Sequence, residues 1–121
     1  MNKINIANVA EERWDSPKGT FSGIYKCISI ALGRDPESTD VRRRHPFDVE
    51  LCRIPPGKKN CPYHSHGAQF EFYMIIAGKG LVRDEHGQTA IEAGDSFFFQ
   101  PGEAHQLIND SDEELVFRHC R

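Results

Sequence analysis

Four residues of this sequence, three histidines and one glutamate, carry side chains that can share one divalent metal ion. His64 and His66 are one residue apart, Glu71 follows shortly after them, and His105 lies well downstream. Residues i and i+2 of a strand point to the same face, so a strand here would present both imidazoles side by side. Three neutral nitrogens and one carboxylate suit a borderline first-row metal. A six-coordinate ion would keep about two positions open for water or substrate.

The histidine pair is weak evidence by itself, because two histidines one residue apart often occur by chance. Glu71 and His105 at fitting positions strengthen the prediction of a metal site. Glycines near these residues strengthen it further, since they mark places where tight turns begin or end. These glycines are Gly57, Gly78, Gly94 and Gly102.

Two further residues share the strand parity of Glu71 and are candidates for roles at the same site. Tyr73 is a candidate catalytic residue whose hydroxyl donates a proton or a hydrogen bond to substrate. The alternative is a core aromatic whose hydroxyl reaches the rim of the fold. Gln69 is expected to orient a metal ligand or line the pocket, or else to lie at a solvated strand end. Cys61, three residues before His64, is a candidate to join the site as a thiolate, but a partly buried loop thiol is favoured. His119 is expected to be a core or surface histidine.

Short apolar runs alternate with turn residues from residue 47 onward, which predicts a series of strands. Their even spacing and glycine turns, with a hairpin at His86-Gly87, indicate an antiparallel sandwich or barrel. The predicted strands are Phe47–Ile54, Phe70–Ala77, Gly80–Asp84, Thr89–Ile91, Ser96–Gln100, His105–Asn109 and Glu114–His119.

The first 46 residues are less regular. A short helical turn near Val9–Trp14 is possible, and the β-branched run at 24–32 predicts a strand. The charged stretch 33–46 predicts a loop, long enough to be mobile or to cover a site. No helix is predicted after residue 20.

Composition limits the class of protein. The chain has 121 residues and a net charge of −3, which predicts one domain and offers no attraction to nucleic acid or anionic membrane. No apolar run has the length of a membrane span, and the first residues lack a secretory signal, so a cytoplasmic protein is expected. The four cysteines form no C-x-x-C pair and are expected to be free thiols.

Two blocks of the sequence resemble the two signature motifs of the cupin superfamily. The first motif, G-x5-H-x-H-x3,4-E-x6-G, matches from Gly57 to Gly78 with one extra residue before the first histidine. The second, G-x5-P-x-G-x2-H-x3-N, matches from Gly94 to Asn109, with Gln100 in place of its first proline. Neither departure touches a histidine or the glutamate, so the chain is identified as a small, single-domain member of that superfamily.

The resemblance implies an all-β fold, a double-stranded β-helix or jelly-roll barrel with an N-terminal extension. Residues 1–121 would form one cupin domain, with the extension and first strand in 1–46 and the barrel core in 47–120. The metal ligands would be His64, His66, Glu71 and His105. The ion would be one divalent transition metal, namely Mn, Fe, Ni, Zn, Cu or Co, among which this ligand set does not choose.

Two classes of function follow from such a site. The first is a metal-dependent enzyme on a small oxygenated substrate, with isomerase or lyase chemistry on a sugar or keto acid ranked above dioxygenation. The second is a non-catalytic barrel that binds or senses a small ligand. The sequence shows no basic recognition helix beside the motifs, which argues against direct binding to nucleic acid.

A run of three phenylalanines predicts contact with a second copy of the chain. Phe97, Phe98 and Phe99 include residues of both strand parities, so at least one must point outward. Phe72 gives the same indication. An aromatic exterior on a small barrel predicts a homodimer face.

Overall fold

The computed structural model describes all 121 residues, which form nine strands and two short helices. A six-stranded sheet has the order β1-β2-β3-β9-β4-β7, and a three-stranded sheet has the order β6-β5-β8. All strand pairs are antiparallel. The strands are β1 Glu12–Asp15, β2 Ser22–Cys27, β3 Val49–Ile54, β4 Glu71–Ala77, β5 Lys79–Asp84, β6 Gly87–Glu92, β7 Ser96–Phe99, β8 Gln106–Ile108 and β9 Leu115–Cys120.

The two sheets enclose one apolar core, and the all-β prediction is confirmed as a double-stranded β-helix. Strand β9 shows the alternation that builds it, because Leu115 and Phe117 point inward and are buried while Arg118 is exposed. The core consists of Cys52, Ile54, Tyr73, Ile75, Val82, Ile91, Phe99, Leu107, Leu115 and Phe117.

The strands predicted after residue 47 all form, with ends displaced by a few residues. The predicted turn at His86-Gly87 is observed one residue earlier, where Asp84 pairs with Gly87 across the β5–β6 hairpin. Strong alternation and glycine turns made these elements predictable, because each strand buries one face and exposes the other.

The prediction of a strand over 24–32 is wrong in its second half. Strand β2 ends at Cys27, and Ile28–Ala31 form the short helix α1. Ser29 explains the change: it is buried, and its hydroxyl accepts a 2.8 Å hydrogen bond from the backbone N–H of Val49. This tertiary contact turns the chain away from the sheet although its residues favour strands.

The other predictions for the N-terminal part also need correction. Residues 9–14 form no helical turn; a 3-10 turn covers Ile6–Asn8, and β1 then pairs with β2. Within the predicted loop, Val41–Arg44 form helix α2, whose first turn Asp40 caps by accepting from the N–H of Arg42. Neither helix is long and apolar enough to cross a membrane.

Candidate metal centre

The four candidate ligands come from three separate segments that the fold brings together. Glu71 begins β4 with its side chain inward and only 2% of the residue exposed. His64 and His105 face each other across an isolated antiparallel bridge, made by backbone hydrogen bonds of 3.2 and 2.8 Å. His66 lies in the loop beyond, where its carbonyl accepts from the N–H of Gly102 over 2.8 Å. The histidine pair is therefore not on a regular strand as predicted.

The ligand atoms of His64, His66 and Glu71 lie close together, and His105 approaches the same carboxylate from its other side. The Nε2 atoms of His64 and His66 are 3.1 Å apart, and His66 Nε2 is 2.8 Å from Oε1 of Glu71. On the other side of the carboxylate, His105 Nε2 is 2.6 Å from Oε2. Ligand atoms bound to one ion at about 2.0–2.2 Å lie about 3 Å from each other, so this spacing suits a shared metal.

Backbone carbonyls orient two of the three imidazoles. Nδ1 of His64 lies 2.9 Å from the carbonyl oxygen of Pro62, and Nδ1 of His105 lies 3.0 Å from that of Glu103. A carbonyl only accepts, so each Nδ1 carries a proton, and in the neutral imidazole each Nε2 then has a lone pair for a metal ion. This arrangement is the one that histidine ligands of metals usually show.

The donor set fits a cation for a further reason. A neutral His105 directs an unprotonated Nε2 at Oε2 of Glu71, so two lone pairs face each other at 2.6 Å. Either a proton on Nε2 or a metal ion shared by both atoms satisfies this contact. The ligand atoms of His64, His66 and Glu71 all lie within 4.8 Å of one another, which makes this group able to hold a metal ion.

Tyr73 belongs to the same cluster, but its hydroxyl is already hydrogen-bonded within the protein. Its hydroxyl donates a 2.9 Å hydrogen bond to Oε2 of Glu71 and lies 3.1 Å from Nε2 of His105. Burial, the charge of Glu71 and this hydrogen bond raise the pKa of Tyr73 well above its usual value. The hydroxyl therefore stays protonated and holds the carboxylate in place.

The carboxylate of Glu71 is held ionised. Burial alone would raise the pKa of Glu71, but its close contacts with His105 and Tyr73 and the nearby imidazole of His119 lower it far below its usual range. An ionised, oriented carboxylate among imidazole nitrogens is a strong ligand for a divalent cation.

One cavity opens onto this group and has a volume of about 200 Å³. That is below the range of about 300–1,000 Å³ typical of pockets for drug-sized ligands, so the cavity suits a small molecule. His64, His66, Glu71 and Tyr73 form one part of its wall. The remaining lining residues include Gly23, Tyr25, Glu50, Asn60, Cys61, His119 and Arg121.

His119 was not predicted from the sequence to be a site residue, yet it lies on the wall of this cavity. Tyr73 pairs with it across β4 and β9, and their rings stack at 4.6 Å. Its Nε2 is buried, has no hydrogen-bond partner and lies 3.6 Å from Oε1 of Glu71, while Nδ1 lies 3.6 Å from Oε2 of Glu50. Burial alone would lower the pKa of His119, but the two carboxylates raise it above its usual value. The inward alternation of β9 was the available signal.

Two other residues near the motif do not join the group. Gln69 is exposed and precedes β4, so it does not share a strand face with Glu71, and it lines a different cavity beside Arg121 and Phe70. The thiol of Cys61 contacts Nδ1 of His64 at 3.3 Å, on the side away from the other ligand atoms. Burial raises the pKa of Cys61 to about 12, so this thiol stays protonated.

Comparison with known families places the chain in one of them. Residues 50–119 match the model of the cupin domain, and this segment contains all four candidate ligands. The chain therefore belongs to the cupin family.

Three known proteins show the likeness in more detail. An oxalate-binding protein of Thermotoga maritima is 35% identical over 65 residues, which are 54% of this chain and 53% of that protein. The chain thus spans about half the length of that relative. A provisionally named sugar phosphate isomerase of Acidithiobacillus ferrooxidans has 27% identity and a TM-score of 0.79, covering 95% of this chain and 69% of its own. The structure of a predicted oxalate decarboxylase of Thermotoga maritima, at 22% identity, shares the fold with a TM-score of 0.77 over 98% of this chain and 96% of its own.

Proposed function

We propose that this protein is a single-domain, metal-dependent cupin that acts on a small keto or hydroxy acid. The observation that carries the proposal is that the Nε2 atoms of His64 and His66 and the ionised carboxylate of Glu71 meet on one cavity wall, with Nε2 of the buried His105 2.6 Å from the same carboxylate. His64, His66, Glu71 and His105 would hold one divalent transition metal. When bound, such an ion polarises a carbonyl or carboxylate oxygen and stabilises negative charge that develops there.

The side chains around the ligands have separate tasks in this proposal. Tyr73 fixes the orientation of Glu71 and excludes water from beneath it. His119, held by Glu50, lies on the cavity wall with its buried Nε2 3.6 Å from Oε1 of Glu71. An ionisable group on the wall of a metal site favours an enzyme over a passive binding barrel.

The size of the cavity and the named relatives support the substrate class. A volume of about 200 Å³ favours a small acid over a phosphorylated sugar. One relative is named for binding oxalate, a two-carbon dicarboxylate, and another is named for isomerisation of a sugar phosphate. From the cavity volume and these two names we infer isomerase or lyase chemistry on a keto or hydroxy acid of two to four carbons.

Metal content is the first test. Purified protein, before and after reconstitution, should contain about one first-row metal per chain, and the variant His64→Ala/His66→Ala should contain none. His86→Ala is the matched control, because His86 lies exposed in the β5–β6 turn. A parent protein that takes up no metal even after reconstitution would refute the proposal.

Turnover then separates the reaction classes. Metal-loaded protein is mixed with small keto and hydroxy acids and followed by proton NMR and an oxygen electrode. Exchange, isomerisation or decarboxylation without oxygen uptake is the expected result. Oxygen consumption would point to a dioxygenase, and binding without turnover would point to a sensor or carrier.

The protein is further proposed to be a homodimer in the cytoplasm. Phe72 and Phe98 pair across β4 and β7 on the outer face of the large sheet and are 42% and 59% exposed, which favours a homodimer through this face. All four cysteines are free, which fits the reducing cytoplasm.

A further inference from the structure

We propose that Tyr25, seated against Gly23, is a second recognition point of the cavity and donates a hydrogen bond to an oxygen of the bound acid. Both residues lie on β2, before the segment that matches the cupin domain. The inference rests on the proposed function, because it concerns a ligand of the same cavity.

The position of Tyr25 directs it toward the cavity. It pairs with Cys52 across β2 and β3, and Cys52 is buried in the core, so the tyrosine faces the interior of the barrel. Its side chain packs against the core and lines the cavity together with Glu50 and Cys61. These neighbours place the ring on the wall that also carries the metal-binding group.

The hydroxyl of Tyr25 is an unused donor. It makes no hydrogen bond with another group of the chain, whereas the hydroxyl of Tyr73 in the same cavity bonds Glu71. Burial raises the pKa of Tyr25 to about 12, so the hydroxyl keeps its proton. A tyrosine hydroxyl on a cavity wall usually has a partner, and an acid that fills the cavity supplies one.

Gly23 makes this placement possible. A Cβ at position 23 would overlap the hydroxyl oxygen of Tyr25 and lie 2.5 Å from its Cζ. The backbone of Gly23 does not have a positive φ, so the glycine is not needed for its conformation. The missing side chain instead leaves the space in which the tyrosine ring rests.

The metal-binding group and Tyr25 together then select one class of ligand. The metal-binding group takes a carboxylate or keto oxygen, and Tyr25 takes a second acceptor oxygen of the same molecule. The ligand expected from this arrangement is a short acid with oxygens at both ends, in a cavity of about 200 Å³.

The test compares Tyr25→Phe with Tyr63→Phe. Tyr63 lies outside the cavity, packed under Arg83, so its substitution makes the same chemical change elsewhere. Each protein is reconstituted with Co²⁺, its metal content is measured, and binding of oxalate, glycolate, pyruvate and malonate is measured by calorimetry. Melting temperatures are recorded by circular dichroism.

We expect Tyr25→Phe to retain Co²⁺ and to bind its best acid about tenfold more weakly or worse, as the loss of a hydrogen bond to a charged group predicts. Its melting temperature should not fall, because no hydrogen bond within the chain is lost. Tyr63→Phe should behave as the parent. Gly23→Ala should also lose affinity, since the new methyl group displaces the ring.

Two results would overturn the inference: equal affinity of Tyr25→Phe and the parent, or a Co²⁺-loaded parent that binds none of the four acids. Failure of the proposed metal site is recognised separately, because the parent would then take up no Co²⁺.

Discussion

The hydroxyl of Tyr73 donates a 2.9 Å hydrogen bond to Oε2 of Glu71, two residues earlier on the same strand. Both side chains are buried, and the same carboxylate oxygen lies 2.6 Å from Nε2 of His105. The tyrosine therefore sets the position of the only carboxylate among the candidate ligands. In the proposed metal site, its role would be to hold the ligand Glu71 in place.

Replacing Tyr73 by phenylalanine should weaken metal binding. Loss of an outer hydrogen bond to a ligand typically lowers metal affinity about 10- to 100-fold, and a buried hydrogen bond contributes about 1 kcal/mol to folding. Titration with Co²⁺ against a competing chelator measures the first effect, and urea unfolding of the metal-free protein measures the second. Parent-like Co²⁺ affinity in Tyr73→Phe would show that the hydrogen bond does not support the site.

Glu50 should make the stability of the metal-free protein depend on pH on the acid side. Its interaction with His119 lowers the pKa of Glu50 below the ordinary value of 4.5, an effect that burial opposes. A lowered folded-state pKa adds stability that is fully present above the ordinary value and is lost as the pH falls through the lowered one. The parent should therefore lose stability below about pH 4.5 more steeply than Glu50→Gln.

Urea unfolding over a pH series in the presence of chelator measures this difference. Glu71 keeps its contacts with His105 and Tyr73 in both proteins, so the comparison reports on Glu50 together with its partner His119. Glu85→Gln, in the exposed β5–β6 turn, is the control and should follow the parent within about 0.5 kcal/mol. The prediction would be contradicted by an equal fall in the free energy of unfolding of Glu50→Gln and the parent below about pH 4.5.

Gly78 should not tolerate alanine. Its φ is +83°, and an added Cβ would overlap the carbonyl oxygen of Glu114 and lie 3.2 Å from Cα of Leu115. Strain of this kind costs about 1–3 kcal/mol even before the clash with the backbone is counted. Gly67→Ala is the matched control, because a Cβ at Gly67 meets nothing within 4 Å.

Thermal and urea unfolding of both variants test this point. Gly67→Ala should stay within about 0.5 kcal/mol of the parent. Equal stability of the two variants would mean that the β4–β5 turn relaxes at little cost.

The exposed aromatic pair should control assembly. Phe72 and Phe98 face each other across β4 and β7 on the outside of the sheet. Size-exclusion chromatography with light scattering should give twice the chain mass of 13.8 kDa for the parent and the single mass for Phe72→Ser/Phe98→Ser. Phe47→Ser, also exposed, should remain dimeric. A parent of single-chain mass would remove the homodimer from the proposal.

Much of the strand series after residue 47 could be predicted from the sequence. Each strand there alternates between core and solvent, as in β9, and glycines such as Gly78 and Gly94 occupy left-handed turns. The N-terminal part could not be predicted in the same way. The hydrogen bond from the Val49 N–H to Ser29 joins residues 20 positions apart, and it converts a β-prone run into helix α1.

The candidate site, too, could be predicted from the sequence only in part. The types and spacing of His64, His66, Glu71 and His105 were visible as motifs, because the chemistry of the ligands is local to each motif. The hydrogen bonding of Tyr73, the exposure of Gln69 and the burial of His119 were not visible. They depend on where β4 begins and on which strand pairs with it.

The sequence by itself determined the all-β class, the strand pattern of the second half and which side chains are candidate metal ligands. Only the tertiary structure decided which other residues share their cavity. Tyr25 reaches it because β2 pairs with β3, and His119 reaches it because β9 pairs with β4. The physical reason is that alternation fixes which face of a strand a residue occupies, while strand pairing over long sequence separations decides what that face meets.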